Sequence, residues 1–377
     1  MNISKYVLAA CVFAVGSLPL TSHAAPQYRG FQVSLSDVSS ELVDQLADDW
    51  QVNVARIQIG DDSTMDGLTG DDYIAMMEER LDTLDGVLPL FTAKNIKVVI
   101  AMYSPPGGFQ TRSAPSHYEM FSSSDLQAEY LDMWRRIADR YKDEATIYAY
   151  DLLNEPAMRP SLVSGGAKKW NDLLPDVITA VREVDTDSVL MVKSLYGDPS
   201  KLASLPALNF ANLIYSYHAY PFLKYQQTAA YDTEPFSVAR PTATQISGKL
   251  FGLLAKFYAK QQVRYAKGQV PSFPPQINVG EAAVSGCATE SGQFLDDLLA
   301  VFERNGSTFK KANKFRRIPI NFKKFLPVVS HHSYTIHAYN ESPIWDPRYE
   351  CSNDGEFTLA DGLTDRGEVL QSYFSKN

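Results

Sequence analysis

The chain has 377 residues, of which 45% are hydrophobic and 21% charged, with a formal net charge of -9. That surplus of acid argues against a nucleic-acid partner, whose phosphates would be repelled. The length suits one large barrel or two domains, and no Ser/Gly/Pro-rich linker or internal repeat divides it, so a single domain is expected.

At the N-terminus, Lys5 precedes an apolar stretch from Tyr6 to Leu20, followed by Ser22-His23-Ala24. A charged start, an apolar core and a small-x-small site are the marks of a secretory signal peptide. Residues 1–24 are therefore expected to be a leader, and 25–377 an exported domain, secreted or periplasmic. Leu8-Ala9-Ala10-Cys11 admits a lipoprotein reading, but too little apolar sequence precedes the cysteine. No later segment is long and apolar enough for stable membrane insertion.

Beyond the leader, short apolar runs alternate with longer amphipathic ones. The strand candidates are Gly30–Leu35, Asn53–Ile59, Lys97–Met102, Ile147–Leu153, Ser188–Lys193, Leu213–His218, Gln276–Gly280 and Tyr334–Ala338. Helices are expected at Ser40–Trp50, Asp72–Lys94, Ser124–Tyr141, Lys168–Val184, Ile246–Ala266 and Gly292–Arg304. Only the connection around Asp198–Leu205 is too short for a long helix. This alternation predicts an α/β chain folded as a (β/α)8 TIM barrel rather than an open sheet. No GxGxxG or GxxxxGK[ST] follows the first strand, so nucleotide binding has no support.

Two strand ends stand out. The run Ile147–Leu153 closes on Asn154-Glu155-Pro156, and the run from Gln276 closes on Gly280-Glu281. In a parallel barrel every C-terminal strand tip opens on one face, so the two carboxylates are expected to converge there. Paired carboxylates are the equipment of most glycosidases. Taken singly, Asn-Glu-Pro is also an ordinary strand-to-helix turn, and a lone Glu often caps a helix start.

One segment breaks the rhythm. Lys310, Lys311, Lys314, Arg316, Arg317, Lys323 and Lys324 fall in a stretch without acid, inside an insertion at about 306–332. A solvated insertion is the preferred reading, and an anchor for an anionic surface or polysaccharide is the alternative.

In combination, Asn53-Val54-Ala55-Arg56, Asn154-Glu155-Pro156, Tyr217-His218-Ala219-Tyr220 and Val279-Gly280-Glu281 resemble glycoside hydrolase family 5, the cellulase and mannanase family of the retaining (β/α)8 clan. The resemblance runs from about Tyr28 to the C-terminus, broken by the basic insertion. It implies Glu155 as general acid and base, Glu281 as nucleophile, and Asn154 as the holder of the sugar 2-hydroxyl. It further implies that His218 and Tyr220 orient the carboxylates and that Arg56 keeps the nucleophile ionised. The chemistry agrees: a neighbouring guanidinium favours the ionised nucleophile, and a nearby negative charge favours a protonated donor. For Arg56 a structural salt bridge, and for His218 a satisfied core position, remain alternatives.

The sequence also departs from the family. Tyr103 stands where a histidine is usual, and its phenol is expected to reach a sugar hydroxyl. In place of the usual tryptophan floor at the eighth strand, Tyr339 or Trp345 is expected to stack on the sugar. Trp50, Trp134 and Trp170 lie on expected helices and are read as packing residues.

Cys11 leaves with the leader, so Cys287 and Cys351 form the disulfide candidate, with two free buried thiols as the alternative. No Cys/His spacing suggests zinc, so neither a metal nor a cofactor is expected. The expected activity is hydrolysis of β-1,4-glucan by a monomer, with an oligosaccharide or polysaccharide as its partner. Mannan or β-1,3-glucan is the alternative substrate, and a catalytically inactive glycan-binding barrel is the alternative of another class.

Overall fold

The computed structural model describes residues 27–60, 63–220, 240–288, 290–303, 333–337, 339, 346–351 and 357–376. The expected leader, the basic insertion at 306–332 and Trp345 lie outside the described residues.

Eight parallel strands close into a barrel. They are β1 (Arg29–Ser34), β2 (Val54–Ile59), β3 (Lys97–Met102), β6 (Ile147–Asp151), β7 (Val189–Lys193), β8 (Leu213–Ala219), β9 (Gln276–Ala282) and β10 (Tyr334–Ile336). Short hairpins extend two of the connections: β4 (Phe109–Thr111) with β5 (His117–Tyr118), and β11 (Tyr349–Cys351) with β12 (Phe357–Leu359). β1, β2 and β8 are buried along their whole length, because one face meets the barrel interior and the other the surrounding helices. Gly30 permits the close β1–β2 approach, since a Cβ there would sit 1.7 Å from the Val54 carbonyl oxygen.

The helices are α1 (Ser40–Asp44), α2 (Gly70–Ala93), α3 (Ser124–Tyr141), α4 (Trp170–Arg182), α5 (Ala243–Ala266), α6 (Ser291–Glu303) and α7 (Asp365–Phe374). α1 runs on into a turn of π-helix at Gln45–Asp49. Side chains set several starts: Ser123 accepts from the Asp125 N–H before α3, and Thr242 forms a capping box with Gln245 before α5. Between β7 and β8 only 3-10 turns occur, at Leu195–Gly197 and Pro199–Ser204, as the short connection requires. α7 has no counterpart among the sequence expectations; its Phe374 packs edge-on against Phe31 of β1, with ring centroids 5.3 Å apart. No helix among the described residues is long and apolar enough to cross a membrane.

The barrel interior is layered. Val54, Val99, Ala149, Met191 and Ile214 fill its lower part with apolar side chains. Two residues further along their strands, the inward positions carry Arg56, Asp151, Lys193 and Ser216, all buried. The floor of the site is therefore an ionic layer resting on an apolar one.

Candidate active site

Arg56 is the hub. Its Nε and Nη2 donate to Asp151 Oδ2 at 2.9 and 2.7 Å, and Nη2 also donates to Asn154 Oδ1 at 2.8 Å. Its Nη1 donates to Gln32 Oε1, to the Tyr103 hydroxyl at 3.2 Å and to Glu281 Oε2 at 3.3 Å. The same Asp151 Oδ2 also accepts from Lys193 Nζ. Burial pushes the Asp151 carboxyl up, but Lys193 and Arg56 outweigh it and hold it below the usual carboxylate range. Burial pulls the Lys193 ammonium down to about 8 in spite of Asp151.

Glu281 depends on a bulge. Tyr217 pairs with Val279 but His218 pairs with Glu281, so Gly280 is one extra residue in β9. Simple alternation would send Asn278 and Gly280 inward and Glu281 outward. The bulge reverses that parity and places Glu281 beside His218. A Cβ on Gly280 would lie 2.3 Å from Ser216 Oγ and 3.1 Å from Lys193 Cε, so the bulged position has no room for a side chain.

Once turned inward, Glu281 accepts from the Tyr220 hydroxyl on Oε1, and from Arg56 and the Tyr103 hydroxyl on Oε2, the latter at 3.3 Å. Burial would raise its carboxyl; the His218 and His337 rings, Arg56 and the Tyr220 hydrogen bond outweigh it and hold it at about 2. The imidazole share of that pull exists only while the rings are charged, whereas the guanidinium and the phenol act at any working pH.

Glu155 follows β6, with 39% of its side chain exposed. His218 Nδ1 lies 2.6 Å from Glu155 Oε1 and 3.8 Å from Glu281 Oε2. Gly197, at φ +62°, lays its backbone against the His218 ring, and a Cβ there would come within 2.7 Å of Cγ. One oxygen of each glutamate and a His218 ring nitrogen all lie within 4.8 Å of one another. By distance alone these atoms could close on a cation, but Arg56 already supplies positive charge to Glu281.

The structure thus brings together Arg56, Tyr103, Asn154, Glu155, His218, Tyr220 and Glu281. Tyr103 meets Arg56 and Glu281, where the sequence reading aimed its phenol at a sugar hydroxyl. Tyr339 is corrected: it is 1% exposed and belongs to the core, not to a sugar platform. Its hydroxyl accepts from Trp50 Nε1 at 3.2 Å and donates to Gln45 at 3.1 Å, and its ring packs 5.0 Å from Phe31 under the Arg348 guanidinium. The physical reason is that β10 ends at Ile336, so strand alternation no longer governs Tyr339, which turns to the helix side of β1 against Phe31 and Trp50. Backbone bonds continue past the strand, with the His337 N–H donating to Ala282 and the Tyr339 N–H to Gln32. His337, not Tyr339, therefore reaches the mouth, with Nδ1 3.8 Å from Glu281 Oε1.

Sequence reasoning missed Gln32, Asp151, Lys193 and His337. Asp151 and Lys193 carried a signal, since a charged residue inside an apolar strand needs a buried counter-ion. Cys287 and Cys351 are joined as a disulfide, Cα–Cα 5.0 Å, which ties the segment after β9 to the β11 hairpin.

Fold and site together define a (β/α)8 barrel with a carboxylate pair at the C-terminal mouth of its strands, the layout shared by glycosidases that work with two acids. The chain belongs to the cellulase family, glycosyl hydrolase family 5, whose family model matches residues 21–262. Endoglucanase C of Acetivibrio thermocellus is 30% identical over 155 residues, which is 40% of this chain and 43% of that relative. The match therefore spans less than half of the curated relative's length. Among solved structures, the cellulose synthase subunit Z of Clostridioides difficile superposes with a TM-score of 0.59 at 15% identity, covering 92% of this chain and 99% of that one. An endoglucanase of Pseudomonas stutzeri gives 0.59 at 16% identity, covering 92% and 93%.

Proposed function

We propose that the chain is an exported, retaining β-glycanase that cleaves β-1,4-glucan by double displacement. The observation that carries this reading is the Glu155–His218–Glu281 cluster, in which one oxygen of each glutamate and a His218 ring nitrogen lie within 4.8 Å of one another. Such closeness favours a retaining pair, whose carboxyl groups stand about 5–5.5 Å apart, over an inverting pair at about 6.5–9.5 Å. In this reading Glu281, kept ionised by Arg56 and the two phenols, attacks the anomeric carbon. Glu155, at the open side of the mouth, gives its proton to the departing glycosidic oxygen. It then takes a proton from the water that releases the glycosyl-enzyme. Asn154, held by Arg56, would grip the sugar hydroxyl next to the reacting carbon. The leader and the disulfide motivate export, because disulfides persist in oxidising compartments. The endoglucanase relative favours a glucan over mannan, and the cellulase description of the matching family model favours the β-1,4 linkage.

The test is azide rescue. Glu281→Ala is expected to lose activity by a factor on the order of 10³ or more, and azide should restore part of it as a glycosyl azide of inverted configuration. With Glu155→Ala the azide product should keep its configuration, because the covalent intermediate still forms. Inverted product from Glu155→Ala would mean that the two roles are exchanged. Assays on carboxymethylcellulose, glucomannan, mannan and laminarin decide the substrate, and equal or greater turnover of mannan or laminarin would displace the β-1,4-glucan reading.

A further inference from the structure

Gln32 is fully buried on β1, where it is the register partner of Arg56 in the ionic layer. Its Oε1 accepts from Arg56 Nη1, and its Nε2 lies 2.7 Å from His337 Nδ1. A guanidinium only donates, so it fixes which way the amide points: oxygen toward Arg56, NH2 toward His337. His337 Nδ1 must then accept. A proton on Nδ1 would face the amide N–H, and turning the amide would face its NH2 with the guanidinium. Either arrangement sets two donors head to head in a buried site.

We propose that Gln32 is a positioning residue that keeps His337 neutral with its proton on Nε2, so that the eighth strand brings a hydrogen-bond donor, and not a second cation, to the sugar held against Glu281. The part that concerns the sugar rests on the reading proposed above. His337 keeps 20% of its side chain exposed at the mouth, and its ring meets Tyr220 edge-on at 6.4 Å. The groups around it pull in opposite directions. Glu281 on β9 and Glu155 after β6 favour its charged form; burial, His218 on β8 and Arg56 on β2 oppose it, and burial leads, so the ring stays below the ordinary histidine range. A neutral ring leaves Glu281 its negative charge for attack, whereas an imidazolium at that distance would draw on it.

The experiment is two-bond 1H–15N correlation on the histidines of the 15N-labelled protein, with His337→Phe assigning the signal. The expected pattern for His337 is an unprotonated Nδ1 and a protonated Nε2, unchanged from about pH 5 to 8. A proton on Nδ1, or ordinary titration near about 6.5, would overturn the proposal. Gln32→Met removes the lock; its kcat/KM on a soluble β-glucan should fall at least tenfold more below about pH 6.5 than above it, where a merely structural loss would be uniform with pH. His337→Phe should lower kcat/KM about 10–100-fold through the lost donor, and His337→Gln, which keeps a neutral donor, should recover part of it. A Phe variant as active as the wild type on a glucan that the protein cleaves would overturn the donor role. If the protein cleaves no β-glucan, the functional reading fails, and the wild-type spectrum still decides the lock.

Discussion

Glu281 is acidic because of its neighbours and in spite of its burial, and that balance has a measurable consequence. Its folded carboxyl is held near 2, below its ordinary 4.5. A depressed carboxylate adds stability that is complete above 4.5 and lost as the pH falls through about 2. The wild type should therefore lose stability relative to Glu281→Gln as the pH falls across that window, by urea unfolding at each pH; a constant difference would contradict the assigned balance. Gly280 is the second sensitive position. Gly280→Ala puts a methyl group 2.3 Å from Ser216 Oγ, so the bulge must move and turn Glu281 away. A loss of about 1–3 kcal/mol is expected, with kcat falling more steeply than affinity. Adding Ser216→Ala removes the hydroxyl and should recover part of both; two independent losses would mean that the contact is not the cause. The glutamates, Arg56 and His218 could be found from the sequence because each ends or lines an apolar run. Gln32 and His337 could not, because their importance lies in pairing with each other across the barrel seam.

At the scale of elements, the barrel strands were legible because burial on both faces writes them as short apolar runs. What was not legible follows from pairing and composition. The bulge at Gly280 is a parity change relative to β8 and β10, and no single strand shows its own register. α7 buries Arg366 and Gly367 alongside Leu370, Tyr373 and Phe374, so its apolar periodicity is weak, and tertiary packing decides its helical state. Tyr339 misled because an aromatic near the eighth strand reads alike whether it faces sugar or core. The Cys287–Cys351 bond joins two elements that are 64 residues apart. Closing so long a loop restricts the unfolded chain, and Cys287→Ser with Cys351→Ser should cost about 2–4 kcal/mol. Thermal melts with and without reductant check this: the wild type should lose stability in reductant and the double variant should not respond. Neither cysteine touches the carboxylate pair in the contacts described above, so the double variant should keep kcat within a few-fold at temperatures where it stays folded.

Across the whole molecule the two ends of the barrel have separate tasks, and the seam between β1 and β10 shows where they divide. At the N-terminal face, Arg29 of β1 grips Glu303, the last residue of α6, at 2.6 Å. The hydroxyl of Tyr334, the first residue of β10, donates to the same carboxylate at 3.2 Å. The chain therefore leaves α6 and re-enters at β10 from side chains already in contact, on the face opposite the carboxylate pair. A short turn can bridge such close ends, and loop-closure entropy favours it slightly over a long connection. Replacing 306–332 with a short Gly-containing turn should accordingly preserve folding. Activity on the glucan that the full chain cleaves should stay within a few-fold, and kcat/KM should lose only what a changed surface charge contributes at low salt. The measurement is a thermal melt paired with kinetics at low and high ionic strength on the full chain and the deletion. A deletion variant that melts like the full chain yet has lost its glucan affinity would show that the basic segment reaches the substrate. The separation of a stabilising face from a catalytic face would then fail for this barrel.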